Sequence, residues 1–149
     1  MTSTNTDDSG ASSPGRDELV AAATEVFADL GYTGATTTAI AERAGVSQPL
    51  LYHHFGSKEG LWRTVIDELF SQLREELAGV ADRLDEADRR QRISELLRAF
   101  VRFTGRHPEW ARLIRTESRD NSETFDQLFE HWISELVDLF NDELTAARD

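Results

Sequence analysis

The residues best suited to chemistry lie at positions 48–54, in the run Gln-Pro-Leu-Leu-Tyr-His-His. Their amide, hydroxyl and imidazole groups donate and accept hydrogen bonds. The paired histidines suggest a metal site, but neighbouring residues on a helix point about 100° apart. We therefore do not expect His53 and His54 to share a metal ion.

No catalytic arrangement stands out in the rest of the 149-residue sequence. A glycine-rich phosphate loop, a Ser–His–Asp arrangement and metal-ligand spacings are all missing. The sequence has no cysteine, which excludes disulfides, thiolate nucleophiles and cysteine-ligated zinc. Carboxylates are abundant, but they fall on solvated helix faces. We expect neither enzymatic activity nor a cofactor.

Two short helices are predicted to position the 48–54 side chains. The run Thr36–Thr38 offers an N-cap for a helix over Thr37–Ala44, and Ser47 caps a helix over Gln48–Phe55. A short turn containing Gly45 joins them, as in a helix-turn-helix. Such a unit presents the outer side of its second helix to the DNA major groove. That side carries Gln48, Leu50, Tyr52, His53 and His54, above an expected core of Ile40, Ala44, Val46, Leu51 and Phe55.

The remainder of the chain is also predicted to be helical, since apolar residues recur at spacings of three and four. We expect residues 1–15 to be a disordered arm, Asp85–Arg92 a link and 119–122 a turn. The fold class is all-α, with a three-helix helix-turn-helix unit followed by a helical bundle, about seven helices in all. The other helices are predicted over Arg16–Leu30 (ended by Gly31), Lys58–Leu84 (capped by Ser57), Ile93–Phe103 (followed by the helix breakers Gly105 and Pro108), Trp110–Ile114 and Phe125–Leu144.

Charge is the main compositional objection to DNA binding. The formal net charge is −12, whereas nucleic-acid binders usually have a basic surface. Residues 36–62 are nevertheless neutral, with two acidic and two basic side chains, so the excess acid lies elsewhere. An acidic body with a neutral contact face suppresses non-specific binding and remains compatible with sequence-specific binding.

The sequence shows no stretch approaching the roughly 18 apolar residues of a membrane-spanning helix. The Ser/Thr/Asp-rich N-terminus lacks the apolar centre of a signal peptide. We expect a cytoplasmic protein without a membrane partner.

The run Thr-Thr-Ala-Ile-Ala-Glu-Arg-Ala-Gly-Val-Ser-Gln-Pro-Leu-Leu-Tyr-His-His-Phe-Gly-Ser-Lys-Glu-Gly-Leu, residues 37–61, closely resembles the TetR family of bacterial regulators. Val26–Tyr32 resembles the family's first helix, and the likeness covers about residues 16–65. It implies a DNA-binding domain over 16–62 and a helical ligand-binding and dimerisation domain over 63–149. The implied function is a homodimeric repressor that a small-molecule inducer releases from double-stranded operator DNA. Family members usually carry two further C-terminal helices, so we expect a short or truncated member.

The resemblance also implies a role for each residue that matches the family's motif. Thr37 and Thr38 would contact DNA phosphates, and Tyr52 and His54 would make phosphate or structural contacts. The bases would be contacted by Gln48, Leu50 and His53, since glutamine pairs with adenine and leucine touches a thymine methyl. Lys58 would bind a phosphate at the positive end of the fourth helix.

For the inducer pocket we select Phe103, Trp110, Phe129 and Trp132, because the resemblance implies a pocket among the later helices. Aromatic residues at helical spacing are more often plain core, and that alternative stays open. A second alternative concerns the whole protein, which would be a helical ligand-binding or protein-interaction module that does not bind DNA.

Overall fold

The computed structural model describes residues 15–84, 88–120 and 123–145, and every regular element in these ranges is an α-helix. The all-α prediction is confirmed. Apart from Gly15, the predicted N-terminal arm lies outside the described residues. The helices are α1 (Arg16–Gly34), α2 (Thr37–Ala44), α3 (Gln48–Phe55), α4 (Lys58–Ala81), α5 (Arg89–Arg106), α6 (Pro108–Asp120) and α7 (Glu123–Thr145).

Side-chain caps set the starts of α2, α3 and α4. The hydroxyl oxygen of Thr36 accepts from Ala39 N at 3.1 Å, that of Ser47 from Leu50 N at 3.4 Å and that of Ser57 from Gly60 N at 3.0 Å. Each bond satisfies a backbone N–H that has no partner inside its own helix. Gly45 ends α2 in the left-handed conformation, at φ 70°, which glycine adopts without a steric penalty.

The core is continuous from the helix-turn-helix unit into the helical body. Ile40 of α2 and Leu51 of α3 are completely buried, and so is Trp62 of α4. The ring of Trp62 meets Phe27 of α1 edge to face, with centroids 4.8 Å apart. Helix α1 also packs along α6, so it contacts both the DNA-side helices and the body.

The end of α1 differs from the prediction. Gly31 does break the helix, at φ 72° and ψ 174°, but a further turn continues to Gly34. The backbone N–H of Ala35 then donates to Gly31 O at 3.1 Å. The break therefore redirects the chain immediately before Tyr32.

Both ends of α5 and both ends of α6 differ from the prediction. Helix α5 begins at Arg89, inside the predicted link, and it continues through Gly105 to Arg106. Arg92 explains the early start, because its buried guanidinium donates to Ala81 O and Leu84 O at the end of α4. Pro108 begins α6, where a proline costs no hydrogen bond. Helix α6 also runs to Asp120, into the predicted turn, and residues 121–122 lie outside the described ranges.

The predicted core under α3 needs a smaller correction. Ile40 and Leu51 are buried as expected, but Phe55 is only half-buried. The Arg16 guanidinium lies 5.8 Å from the centre of the Phe55 ring. Phe55 thus lies at the edge of the core beside the start of α1. Ala44 and Val46, in and beside the turn, are also half-buried.

Candidate nucleic-acid interface

A hydrogen-bonded group of three side chains joins the start of α2 to α3. Gln48 Nε2 donates to Thr37 Oγ1 at 2.8 Å, and the Tyr52 hydroxyl lies 3.2 Å from the same oxygen. Gln48 and Tyr52 are four residues apart and therefore lie on the same side of α3. This network fixes the position of α3 against α2 with polar groups at the surface, where they remain accessible to a partner.

The outer side of α3 is open. Tyr52 is 45% exposed, and His53 is also exposed. His54 is half-buried, with its ring centroid 5.4 Å from that of His53. Thr38, which was predicted to contact a phosphate, is exposed at the start of α2. These four side chains lie on or beside one surface, as a DNA-contacting unit requires.

Leu50 has a more structural position than the sequence indicated. It is half-buried, and a methyl group placed on Gly15 would lie 2.8 Å from Leu50 Cδ2. The tip of this side chain therefore lies against the chain as it enters α1. A thymine contact by Leu50 remains a prediction.

Lys58 makes contacts that sequence reasoning missed. Its Nζ donates to Tyr32 O at 2.9 Å and to Ala35 O at 3.2 Å, and it lies 4.4 Å from the centre of the Tyr32 ring. These carbonyls belong to the segment between α1 and α2. Two of the three ammonium donors thus attach the start of α4 to this segment. One N–H of the Lys58 ammonium group is left for the predicted phosphate contact.

Tyr32 is also attached to the body of the protein. Its backbone N–H donates to Glu117 Oε1 of α6 at 2.5 Å, and Glu117 is 1% exposed. Burial, with a smaller contribution from the Glu59 carboxylate, raises the pKa of the Tyr32 phenol above its ordinary value. Tyr32 therefore links α6 to Lys58, and through Lys58 to the start of α4 beside α3. No local sequence signal marks this contact, because the two residues are 85 positions apart.

Other contacts hold α6 against α1. The Arg112 guanidinium donates to Glu25 at 2.8 Å and to Asp29 at 2.5 Å. Thr116 Oγ1 donates to Ala28 O at 2.9 Å. These contacts, with the Tyr32–Glu117 bond, attach α6 of the body to α1 of the helix-turn-helix unit.

The predicted pocket residues pack together in the body. Phe70 of α4 stacks on Trp132 at 5.1 Å between centroids and meets Trp110 edge to face at 5.0 Å. Phe103 lies 6.5 Å from Trp110, and Phe129 packs against the same core while only half-buried. The structure thus brings Trp110 and Trp132 together on Phe70, with Phe103 beside Trp110. Their role as a pocket stays a prediction.

A separate cleft of about 380 Å³ lies between α1, α4 and the start of α6. Its lining includes Glu25, Glu68 and Glu109, and none of the four aromatic side chains selected from the sequence. His107 Nδ1 lies 3.0 Å from Glu109 Oε1 at one end. Among the described residues, no group of three histidine or carboxylate side chains is placed to hold a metal ion.

An exposed recognition helix, a capped three-helix unit and a long α4 that continues into an all-α body define a helix-turn-helix protein. Residues 19–65 match the model of the bacterial regulatory proteins of the tetR family. Over these residues the chain is similar to the TetR family. None of the helices over the described ranges is both long and apolar enough to cross a membrane.

Relatives of known name agree with this assignment. The chain is 41% identical to the HTH-type transcriptional activator FasR of Mycolicibacterium smegmatis over 66% of its length and 44% of FasR. It is 33% identical to the HTH-type transcriptional repressor NicS of Pseudomonas putida over 69% of its length and 48% of NicS. The chain thus spans just under half the length of these relatives, which are transcriptional regulators and not enzymes.

Solved structures extend the likeness to the helical body. A TetR-like transcriptional regulator from Rhodococcus sp. RHA1 is 26% identical, with a TM-score of 0.76 over 93% of this chain and 73% of that one. The fatty acid degradation regulator FadR from Bacillus halodurans shares the fold at 19% identity, with a TM-score of 0.79 over 91% and 69% of the two chains.

Proposed function

We propose that this protein is a sequence-specific DNA-binding regulator, a repressor that a small molecule releases from its operator in the cytoplasm. The observation that carries the proposal is the Thr37–Gln48–Tyr52 network, which holds α3 against α2 and leaves its outer side open. The DNA-binding domain extends over residues 16–62, and α4 joins it to the remainder of the chain.

The proposed contacts divide into positioning and base-reading groups. Thr37, Thr38 and Tyr52 contact phosphates, and Gln48 and His53 contact base edges in the major groove. Leu50 is also assigned to a base contact. His54 and Lys58 are assigned to contacts with the DNA backbone. Because this surface carries few cations, the affinity falls only gently with salt, by about 0.9 log units per phosphate contact for each tenfold rise in salt.

The inducer is proposed to bind among Phe103, Trp110, Phe129 and Trp132. Among the described residues, no acceptor lies within hydrogen-bond distance of the buried indole N–H of Trp110 or Trp132. Buried donors are normally paired, so a ligand oxygen placed here would satisfy them. We therefore propose an inducer with an apolar body and at least one hydrogen-bond acceptor.

A route from this region to the DNA surface supports the regulatory part of the proposal. Trp110 and Glu117 are seven residues apart on α6 and lie on the same side of the helix. A ligand that moves Trp110 would move Glu117, and with it the Tyr32–Lys58 contacts at the start of α4. The shift requires that the ligand bind the free and DNA-bound conformations with different affinity.

Selection of genomic DNA fragments by the purified protein at about 100 mM salt tests the DNA-binding function. We expect enrichment of a palindrome whose half-sites are separated by about one helical turn or a multiple of it. His53→Ala should weaken binding to that site, whereas His131→Ala removes an exposed histidine on α7 and should leave binding unchanged.

The indole donors allow a separate test of the inducer site. Compounds found by their effect on tryptophan fluorescence should lower operator affinity. Trp110→Phe and Trp132→Phe keep an aromatic ring but lose the N–H, so they should reduce the response to the compound and retain operator binding. A response that is unchanged in both variants would place the inducer elsewhere.

The net charge of −12 favours a second candidate, a helical interaction or ligand-binding module that does not bind DNA. The fragment selection separates the two functions. If no fragment is enriched and Tyr52→Ala has no effect on any interaction with DNA, the protein is better described as a helical interaction or ligand-binding module.

A further inference from the structure

The Thr37–Gln48–Tyr52 network has a fixed number of hydroxyl protons to share. Gln48 Nε2 donates to Thr37 Oγ1 at 2.8 Å, and the hydroxyl oxygens of Thr37 and Tyr52 are 3.2 Å apart. One of the two hydroxyls donates to the other, and each carries a single O–H. The pair therefore has one O–H left, on Thr37 or on Tyr52, for an acceptor outside the network.

A DNA phosphate supplies that acceptor, since its oxygens accept hydrogen bonds from hydroxyl side chains. If the Gln48 amide were reversed, with Oε1 toward Thr37, the Thr37 hydroxyl would have to donate to Gln48 and the Tyr52 hydroxyl to Thr37. Both protons would then be used inside the network, and neither hydroxyl could donate to the phosphate. Contact with a phosphate thus stabilises the amide orientation that the structure has, in which Nε2 faces Thr37.

The orientation of the amide decides what Gln48 presents to the major groove. Gln48 is half-buried, and within the described ranges its side chain makes no hydrogen bond except the one to Thr37. The amide therefore keeps Oε1 as an acceptor and one further N–H as a donor. Adenine alone offers both partners on its major-groove edge, a donor at N6 and an acceptor at N7. Guanine offers only acceptors there, so it can pair with the N–H but not with Oε1.

We propose that Thr37 is a positioning residue for base recognition, because it holds the Gln48 amide in the orientation that selects adenine over guanine. The Thr37 and Tyr52 hydroxyls serve one phosphate together, and that contact is coupled to the base contact of Gln48. The inference rests on the proposed function and adds which base the start of α3 selects and which residue outside α3 controls the selection.

A panel of operators tests the proposal. Each of the four base pairs is placed in turn at every position of the half-site that the wild type enriches, and the affinity of the full chain is measured for each operator. Gln48→Ala identifies the position that Gln48 contacts, because base preference should disappear there and remain elsewhere. At that position the wild type should bind adenine about tenfold more tightly than guanine.

Thr37→Val keeps the shape of the side chain and removes its hydroxyl. The amide can then turn, so the preference for adenine at the Gln48 position should fall to about threefold or less, with the other positions unchanged. Thr37→Ser keeps a hydroxyl and should keep the preference. Thermal unfolding shows whether each variant is folded, and Thr37→Ala, with the better helix former, replaces Thr37→Val if that variant is not.

Thr38→Val is the matched control, since Thr38 is exposed beside Thr37 and makes none of the bonds of the network. It should lower the affinity for all four bases alike, as loss of a phosphate contact does. A Thr37→Val variant with the same uniform effect would assign Thr37 to the backbone alone and overturn the proposal.

Three other results would also overturn it: a wild-type preference for another base at the Gln48 position, a Gln48→Ala variant that changes no base preference, or a loss of preference in Thr37→Ser. In each of these cases the wild type still binds its operator, so the DNA-binding function stands. Failure of that function has a different sign, because the wild type would then enrich no fragment, and the inference would fall with it.

Discussion

Replacing Lys58 by methionine separates two roles for its ammonium group. The sequence predicts a phosphate contact, whereas in the structure Nζ donates to Tyr32 O at 2.9 Å and Ala35 O at 3.2 Å. Methionine is an apolar side chain of comparable reach, but it has neither charge nor donors. The variant therefore tests the structural contacts and the DNA contact together.

The structural contacts give the expected loss of stability. A hydrogen bond to a charged group contributes about 1.5–3 kcal/mol, and a cation–π contact about 0.5–1 kcal/mol. Lys58 is only half-buried, so water replaces part of what is lost. We expect Lys58→Met to lower the free energy of unfolding by about 2 kcal/mol, which corresponds to a fall in Tm of about 4–8 °C for a chain of this size.

The DNA contact has a different signature. Loss of one phosphate contact should reduce the slope of log affinity against log salt by about 0.9. Thermal unfolding at fixed protein concentration and operator affinity at several salt concentrations are the two measurements. Lys58→Arg keeps the charge and should retain most of the slope.

The two measurements together decide between the roles. A lower Tm with an unchanged slope would assign Lys58 to structure alone, and a fall in both would assign it to both roles. An unchanged Tm would refute the reasoning, because the two carbonyl bonds would then contribute nothing to the folded state.

Three further predictions concern local structure. Thr36→Ala removes the cap of α2 and should lower the free energy of unfolding in urea by about 1 kcal/mol, whereas Thr36→Ser should retain it; equal losses would contradict the cap. Gly60→Ala would place Cβ 2.1 Å from Phe55 O and should destabilise by about 1–3 kcal/mol in the same assay. Its control, Gly79→Ala, adds a methyl group in open space on the same helix and should stabilise by about 0.5–1 kcal/mol. Burial raises the pKa of the Tyr32 phenol above 10.0, so the folded state holds this proton more tightly than the unfolded state. Unfolding measured against pH should show that this contribution is complete below about pH 10 and declines above it; Tyr32→Phe should remove the decline, and a decline that persists would contradict the assignment.

The helix-turn-helix unit could be predicted from the sequence because its determinants are local. The caps at Thr36, Ser47 and Ser57 each bond a backbone N–H three residues ahead. Gly45 ends α2 through its own backbone conformation. Apolar spacing correctly identified Ile40 as buried. Signals that act within one or two helical turns are visible in a single sequence.

Boundaries in the body were predicted less well because tertiary contacts compete with local preference. Gly105 is a weak helix former, yet α5 continues through it while Phe103, two residues earlier, is held in the core. Arg92 reads as a solvated charge within a link, but its bonds to Ala81 O and Leu84 O require the end of α4 to lie beside it. Local composition carries no information about that approach.

The sequence by itself determined the helical class, the recognition unit and the set of side chains on α3. The tertiary structure alone decided that Lys58 bonds the segment after α1 and that Glu117 reaches Tyr32 across 85 positions. It also decided that Leu97 and Val101 stay exposed on α5. The physical reason is the distance along the chain over which each kind of interaction acts. Caps and periodicity act along the chain, whereas a buried carboxylate or an uncovered helix face depends on which distant segment packs against it.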